Sequence, residues 1–233
     1  MVKRLFDVVI AGAALVVLAP VLACIALAVR LSGGCVLYRG TRGGRNGSSF
    51  RIMKFRTMVP EAEKLGGSVT SGDDFRITRI GHWLRKYKLD ELPQLINVLK
   101  GDMSLVGPRP DVPEYLARLS GDELRILNLR PGITDWASIW DSDEGELLKG
   151  CVDPITAYEA HIWPTKIRLQ LFYVDTCSFT TDVKILFYTA VKLLFPESLP
   201  RELTELGIRP ATNIAHGVGS DAQMTHATSQ PNR

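Results

Sequence analysis

Two adjacent carboxylates, Asp90 and Glu91, are the residues of this 233-residue chain best suited to catalysis. They precede an apolar stripe with helical spacing over 92–99, and a helix start stabilises negative charge. A helix start also attracts phosphate, which two carboxylates would repel unless a divalent cation lay between them. The pair therefore predicts Mg²⁺, or Mn²⁺ in its place, bound through Asp90 and substrate phosphates. For an isolated Asp-Glu pair, ordinary helix capping is the alternative.

Three basic residues are candidates for binding phosphate. Arg109 lies between Pro108 and Pro110, which hold its backbone extended, so its guanidinium loses less entropy when it binds a phosphate through two hydrogen bonds. The alternative for Arg109 is a rigid turn with a surface arginine. Lys54 and Arg56 lie on one side of a predicted strand, and we predict both as further phosphate ligands. Contacts with solvent or lipid headgroups are the alternative for this pair.

The N-terminal apolar segment from Val8 to Val29 is long enough to cross a bilayer as a helix. Pro20 removes a backbone hydrogen bond in its middle and predicts a break. Positive charge marks the cytoplasmic side, and it flanks both ends of the segment, with Lys3 and Arg4 before it and Arg30 after it. A re-entrant helix that returns to the same membrane face fits these flanks slightly better than a kinked span.

The rest of the chain predicts a mainly α fold with a little β. We expect a membrane-embedded helix over 1–31, a small cytosolic catalytic α/β domain over 32–200 and a flexible tail over 201–233. The apolar face of the last helix fits either core packing or a membrane surface, as in an interfacial amphipathic helix. The predicted elements are a strand within 50–58 and helices near 79–87, 92–100, 120–129, 165–174 and 182–195, with a connector of turns over 32–47.

Composition and motifs exclude several other classes of protein. The net charge of +3 is too small to argue for nucleic-acid binding. The chain lacks a Walker A loop, a G-x-G-x-x-G fingerprint and a G-x-S-x-G elbow. Its four cysteines and four histidines show no zinc-ligand spacing. Carboxylates and basic residues are therefore the groups left for chemistry, with phosphate-bearing partners.

Four motifs occur in a characteristic order: Lys-Phe-Arg-Thr-Met at 54–58, Leu-Asp-Glu-Leu-Pro-Gln-Leu at 89–95, Gly-Asp-Met-Ser-Leu-Val-Gly-Pro-Arg-Pro at 101–110 and Arg-Pro-Gly-Ile-Thr at 130–134. With them, the chain resembles the bacterial sugar transferases called monotopic phosphoglycosyl transferases from about residue 3 to 195. Two departures are visible. Many members have Ser where this chain has Ala19, and a Gly-Leu-like pair is more usual than Asp135-Trp136.

The resemblance implies an enzyme that transfers a sugar-1-phosphate from a UDP-sugar to polyprenyl (undecaprenyl) phosphate and releases UMP. It implies Asp90 as the nucleophile, Glu91 as its partner, Mg²⁺ as the cofactor and Arg109 in the phosphate site. It also implies a re-entrant helix at Pro20 among the lipids of the bacterial inner membrane, with the catalytic domain on the cytoplasmic face.

Two rival interpretations stay open at this point. In the first, the lipid phosphate attacks directly and Asp90 acts as a base or metal ligand. In the second, the protein is a non-catalytic membrane scaffold of a glycan-assembly complex. The sequence leaves open the identity of the sugar and the oligomeric state, a homodimer included.

Overall fold

Helices dominate the computed structural model, which describes residues 2–67, 69–141, 143–195, 198–209 and 214. The mainly α prediction is therefore confirmed. The helices are α1 (Val2–Leu31), α2 (Arg79–Lys86), α3 (Gln94–Lys100), α4 (Pro113–Leu116), α5 (Trp136–Trp140), α6 (Glu144–Leu147), α7 (Pro154–Ala157), α8 (Trp163–Thr176), α9 (Phe179–Leu194) and α10 (Arg201–Glu205). The strands are β1 (Leu37–Gly43), β2 (Ser49–Phe55), β3 (Ser104–Val106) and β4 (Gly132–Thr134).

The four described strands form two small sheets. Strands β1 and β2 make an antiparallel hairpin, whereas β3 and β4 pair in parallel. The strand predicted within 50–58 is confirmed by β2. The connector predicted over 32–47 is wrong in part because it contains β1, whose glycines and arginines give no alternating pattern. Strands β3 and β4 have three residues each, too few for a periodicity to show.

Most predicted helices are present with small shifts at their ends. Helices α2, α3, α8 and α9 correspond to four of them. The fifth, near 120–129, is a 3-10 helix over Gly121–Asn128, and the Glu123 carboxylate accepts a hydrogen bond from the Ser120 backbone N–H at 3.0 Å, as expected for a capping box. Glycine ends α3 as predicted, because Gly101 adopts the left-handed φ of +94°.

The predicted start of a flexible tail at residue 201 is wrong. Helix α10 folds back on the main apolar core, where Leu203 is fully buried and Ile208 is 7% exposed. The backbone oxygen of Arg209 also accepts a hydrogen bond from the Trp140 indole at 2.9 Å. Apart from Ile214, the tail predicted beyond residue 209 lies outside the described residues.

Helix α1 stays helical through Pro20, so the predicted break there is not confirmed. It is long and apolar enough to cross a membrane. Its burial is confined to two regions near its ends, around Ala11 and around Val29, which are both fully buried. Every residue over 12–24 is described and none is buried, and Val16 is 77% exposed.

Polar contacts fix the N-terminal part of α1 to the domain that follows it. The buried carboxylate of Asp7 accepts hydrogen bonds from the Ser104 hydroxyl at 2.8 Å and from the Leu105 N–H at 3.2 Å. The Arg4 guanidinium donates to the Val98 carbonyl at the end of α3 at 2.6 Å. Because a buried charge is costly without such partners, these bonds tie α1 to α3 and β3.

The C-terminal part of α1 packs on another side of the same domain. Ile25 and Val29 form an apolar cluster with Phe55 at the end of β2 and Leu84 of α2. Leu89, the residue before Asp90, packs against this cluster. The fold therefore connects the membrane-type helix directly to the turn that carries the carboxylate pair.

Candidate active site

The carboxylate pair lies in a tight turn rather than inside α3. Leu89–Glu91 form a 3-10 turn that follows Lys88, whose φ of +56° is left-handed. Pro93 then leads into α3, where its missing N–H costs nothing. The predicted location of Asp90 and Glu91 at a helix start is thus correct to within one turn. The left-handed Lys88 changes the direction of the chain before this turn.

Two cations neutralise Glu91. Its Oε1 accepts a hydrogen bond from Lys54 Nζ at 2.8 Å, and its Oε2 accepts one from Arg109 Nη1 at 3.0 Å. Arg109 Nη2 also donates to Oε1, so that the guanidinium binds the carboxylate through both nitrogens. Burial alone would raise the pKa of Glu91, but the charges of Arg109 and Lys54 hold it well below its usual range.

Asp90 is buried yet has no such partner. It is 7% exposed, and no described residue donates a hydrogen bond to its carboxylate. Burial and the neighbouring charge of Glu91 raise the pKa of Asp90, and the charges of Lys54 and Lys88 partly offset that rise. The site therefore contains one neutralised carboxylate and one whose oxygens are free to react or to bind a cation.

The parallel β3–β4 pair positions Arg109. The Gly107 N–H donates to the Thr134 carbonyl at 3.1 Å, and the Gly132 N–H donates to the Pro108 carbonyl at 3.0 Å. A Cβ on Gly132 would lie 2.1 Å from the Gly107 nitrogen, so this crossing requires glycine. The motifs at 101–110 and 130–134 thus form one backbone unit behind Arg109.

Asp135, one of the two departures from the usual motifs, is fully buried in this unit. Its Oδ2 accepts a hydrogen bond from the Arg109 backbone N–H at 3.1 Å. Its Oδ1 accepts one from the Ser138 N–H at 2.7 Å and caps the start of α5. The Asp135 carboxylate therefore fixes the arginine's backbone relative to α5.

Arg56 does not join the cluster. It lies just after the end of β2 and is 6% exposed, and its Nη2 donates to the Val29 carbonyl and the Ser32 hydroxyl, both at 3.1 Å. Side chains two residues apart share a face only within a strand, and β2 ends at Phe55. The side chains of Lys54 and Arg56 therefore point to different places. Of the predicted phosphate ligands, the structure brings together Lys54 and Arg109, and it places Arg56 at the end of α1.

A second ionic cluster was not foreseen from the sequence. The Lys166 ammonium, 6% exposed, donates to Glu144 Oε2 at 3.1 Å and to the Tyr158 hydroxyl at 3.0 Å. Asp111 and Asp141 carry further charges near it. We call these five residues the Lys166 cluster. They come from separate segments and form no motif, and the acidic stretch at 141–146 is the only signal that could have suggested them.

The residues present fit a divalent cation that is shared with substrate. No group of three or more His, Cys, Asp or Glu suited to a metal occurs within the described ranges. Mg²⁺ does not require such a cage, because it commonly binds one or two carboxylates together with substrate phosphates and water. The unpartnered Asp90 carboxylate provides that kind of ligand, whereas Glu91 is already occupied by two cations.

Comparison with known proteins identifies the family of the chain. A family model described as bacterial sugar transferase matches residues 1–196. The chain belongs to the bacterial sugar transferase family. As in other chains matched to the bacterial sugar transferase family, the match is defined over a stretch of sequence, which here includes α1 and the turn that carries Asp90 and Glu91.

Individual bacterial sugar transferases show how far the similarity extends. The uncharacterized sugar transferase EpsL of Bacillus subtilis is 38% identical over 198 residues, which are 84% of this chain and 89% of EpsL. The UDP-glucose:undecaprenyl-phosphate glucose-1-phosphate transferase of Escherichia coli is 40% identical over 200 residues, 82% of this chain but 40% of that enzyme. The enzyme of the same name in Caulobacter vibrioides is 37% identical over 204 residues, 69% of its length.

Proposed function

We propose that the chain transfers a sugar-1-phosphate from a UDP-sugar to undecaprenyl phosphate and releases UMP, the first step in building a membrane-linked glycan. The names of several relatives, including the Escherichia coli and Caulobacter enzymes, describe this kind of reaction. The observation that carries the proposal for this chain is the pairing of a free, buried Asp90 with a Glu91 already neutralised by Lys54 and Arg109.

In the first half-reaction, an oxygen of ionised Asp90 attacks the β-phosphorus of the UDP-sugar. The new bond is a carboxyl–phosphate bond, and the bond from the β-phosphorus to the bridging oxygen breaks, so UMP leaves with that oxygen. Arg109 and Lys54 neutralise charge on the transferring phosphoryl group, because their contacts with Glu91 hold them beside Asp90. The product is a phospho-sugar on Asp90.

In the second half-reaction, a phosphate oxygen of undecaprenyl phosphate attacks the same phosphorus. The bond to Asp90 breaks and the carboxylate is restored, so one phosphoanhydride replaces another without a net proton change. No ATP is consumed, which agrees with the absence of a Walker A loop in the sequence. Bound at Asp90, Mg²⁺ would supply positive charge for the phosphate oxygens.

For the membrane arrangement we favour a re-entrant α1 in the inner membrane, with the catalytic domain on the cytoplasmic face. Both ends of α1 contact one domain, through Asp7 near the start and Val29 near the end, while the apolar middle is exposed. A straight span would place its ends on opposite sides of the bilayer. A bend at Pro20 within the continuous helix would let both ends keep their contacts.

Helix α9 is a second element suited to the membrane surface. Its exposed residues Phe179, Val183, Phe187 and Leu194 recur at helical spacing. The Phe179 ring contacts Phe6 of α1 with the ring centroids 5.3 Å apart, so this stripe adjoins the membrane-type helix. We propose that α9 rests among lipid headgroups and keeps the site at the level where the lipid substrate arrives.

The experiment that tests the reaction uses the full chain in detergent with Mg²⁺ and a panel of UDP-sugars. With a UDP-sugar labelled in its β-phosphate and no lipid acceptor, we expect one equivalent of UMP and one label per protein. Added undecaprenyl phosphate should release the label as the lipid product. Asp90→Asn should abolish both events.

The rival outcomes are distinct. Turnover that needs the lipid acceptor and never labels the protein would support direct attack by the lipid phosphate. Absence of UMP release with every UDP-sugar, with and without lipid, would leave the scaffold as the remaining interpretation. Asp122→Asn is a matched control, since this carboxylate is 67% exposed and pairs with Arg125 at the surface.

A further inference from the structure

The Lys166 cluster adjoins the Arg109 side of the site. Gln170, four residues after Lys166 in α8, donates a hydrogen bond to the Arg109 carbonyl at 3.4 Å. In line with this contact, Glu91 and Glu144 both raise the pKa of Arg109. Lys88, beside Asp90 in the chain, likewise acts on Glu91 and on Asp141. A group bonded to a phosphate at Arg109 would therefore come near this cluster.

Helix α5 connects the backbone of Arg109 to Asp141. The Asp135 carboxylate at its start accepts the hydrogen bond from the Arg109 N–H, and Asp141 is the residue that ends the helix. Six residues of helix correspond to about 9 Å. A hexose attached to the β-phosphate extends over a distance of this order, so its ring would reach the Asp141 end of α5.

The Lys166 cluster is short of hydrogen-bond donors. It contains three carboxylates, those of Asp111, Asp141 and Glu144, beside the single ammonium of Lys166. Within the described ranges nothing donates to the Asp141 or Asp111 carboxylates, and Asp141 Oδ1 is fully shielded from solvent. Burial and the nearby charge of Glu144 raise the pKa of Asp141 to about 7. Such a set of acceptors is stabilised when a ligand brings donors to it.

Part of the cluster remains open to a ligand. The Glu144 side chain is 35% exposed although its Oε2 is held by Lys166, whose own side chain is 8% exposed. Asp141 is partly exposed as well. Sugar hydroxyl groups are donors of the kind that these carboxylates lack.

We propose that Asp141 and Glu144 form the subsite for the donor sugar and accept hydrogen bonds from its hydroxyl groups. Lys166 is a positioning residue that fixes Glu144 through its ammonium and is itself fixed by Tyr158. This inference rests on the proposed function, since it concerns the sugar of the UDP-sugar. Carboxylates are frequent acceptors for such hydroxyls because the charge strengthens the bond.

The test compares wild type, Asp141→Asn and Glu144→Gln in UMP release with UDP-glucose, UDP-galactose and their N-acetylamino counterparts. We expect each variant to lose about tenfold or more in kcat/KM with the preferred sugar and less with the others, because a site built to bind a hydroxyl discriminates through that bond. Inhibition by UMP, which lacks the sugar, should stay within about twofold of wild type. Asp153→Asn is the control, an exposed helix cap at which asparagine serves equally well.

Each outcome bears on the inference separately from the reaction. If wild type releases UMP but both variants keep the wild-type ratio between sugars, the subsite is wrong and the reaction stands. The subsite is equally wrong if UMP inhibition weakens as much as UDP-sugar turnover, since that would mark a general disturbance of the site. If wild type releases no UMP with any sugar, the reaction itself fails.

Discussion

Arg109 binds the Glu91 carboxylate through both terminal nitrogens of its guanidinium, with Nη1 3.0 Å from Oε2. This contact joins the turn before α3 to the proline-flanked segment after β3, 18 residues further along the chain. It neutralises Glu91 and leaves Asp90 as the carboxylate without a donor. This division of roles between the two carboxylates, and the contacts by which the fold maintains it, can be tested directly.

Replacing the arginine by lysine should show the value of the two-nitrogen contact. In Arg109→Lys the ammonium cannot bind both carboxylate oxygens, so we expect UMP release to fall about 100-fold, the range seen when one positioned donor is lost. Arg118→Lys is the matched control. Arg118 is 52% exposed, and its guanidinium forms an ion pair of 2.7 Å with Glu159, which is not one of the site residues. Its rate should stay within about twofold of wild type. Equal losses in the two variants would contradict the assignment.

The pH dependence of the first half-reaction should report on Asp90. In the proposed mechanism only the ionised form attacks. Because the pKa of Asp90 is raised, we expect UMP release to fall as the pH drops through a value above the ordinary 3.8 of aspartate. Burial is the main cause of this raised pKa and the Glu91 charge is the second. Glu91→Gln removes that charge and frees Lys54 and Arg109 to act on Asp90. We therefore expect the acid limb of the pH–rate profile of Glu91→Gln to move to lower pH, although this variant releases UMP more slowly than wild type. The measurement is single-turnover UMP release against pH, with the exposed Glu114→Gln as the control. A limb that moves to higher pH would refute this role.

Thermal unfolding should test, without any turnover, whether Asp90 binds the proposed metal. Because the pKa of Asp90 is raised in the fold, its ionised form destabilises the folded state at neutral pH, and its contribution is favourable only when it is protonated at low pH. In EDTA at pH 7.5, Asp90→Asn should therefore unfold at a higher temperature than wild type. Each kcal/mol corresponds to about 2–4 °C for a chain of this size.

Adding Mg²⁺ or Mn²⁺ to the same samples should raise the unfolding temperature of wild type and leave that of Asp90→Asn unchanged. Ca²⁺ at the same concentration serves as a control for ionic strength. An equal rise in both proteins would place the cation elsewhere.

The topology of α1 can be tested by labelling single cysteines. With the other cysteines replaced by serine, Val2→Cys and the native, exposed Cys35 report on the two ends of the helix. For a re-entrant helix, an impermeant maleimide should label both positions in inside-out vesicles and neither in intact spheroplasts. Labelling of the two positions from opposite sides would instead establish a span.

The domain boundary can be tested at α10. Leu203 is fully buried, so Leu203→Ala should lower the free energy of unfolding by about 2–5 kcal/mol. Leu193→Ala, at a position 58% exposed, should change it by about 0.5 kcal/mol or less. Chemical denaturation in one detergent compares the two variants. If Leu203→Ala is as stable as wild type, α10 does not belong to the folded domain and the tail begins at residue 201 as the sequence predicts.

Three structural predictions from the sequence were wrong because they used only neighbouring residues in the chain. Arg56 shares a strand face with Lys54 only if the strand continues, and β2 ends at Phe55. Strand β1 was missed because its partner, rather than its own residue pattern, makes it a strand. The fold of α10 was missed because a five-residue helix is stabilised by what Leu203 packs against, and a contact of that kind leaves no periodicity in the sequence.

The sequence by itself determined the helical framework, the apolar α1 and the motif residues Asp90, Glu91 and Arg109, because helix periodicity and short motifs are encoded by neighbours in the chain. The tertiary structure alone decided that Arg109 and Lys54 bind Glu91 and leave Asp90 free. It also decided that the Lys166 cluster adjoins Arg109. Contacts between distant segments depend on how β3, β4 and α5 pack, and burial, which sets the charge state of each carboxylate, exists only once the chain has folded.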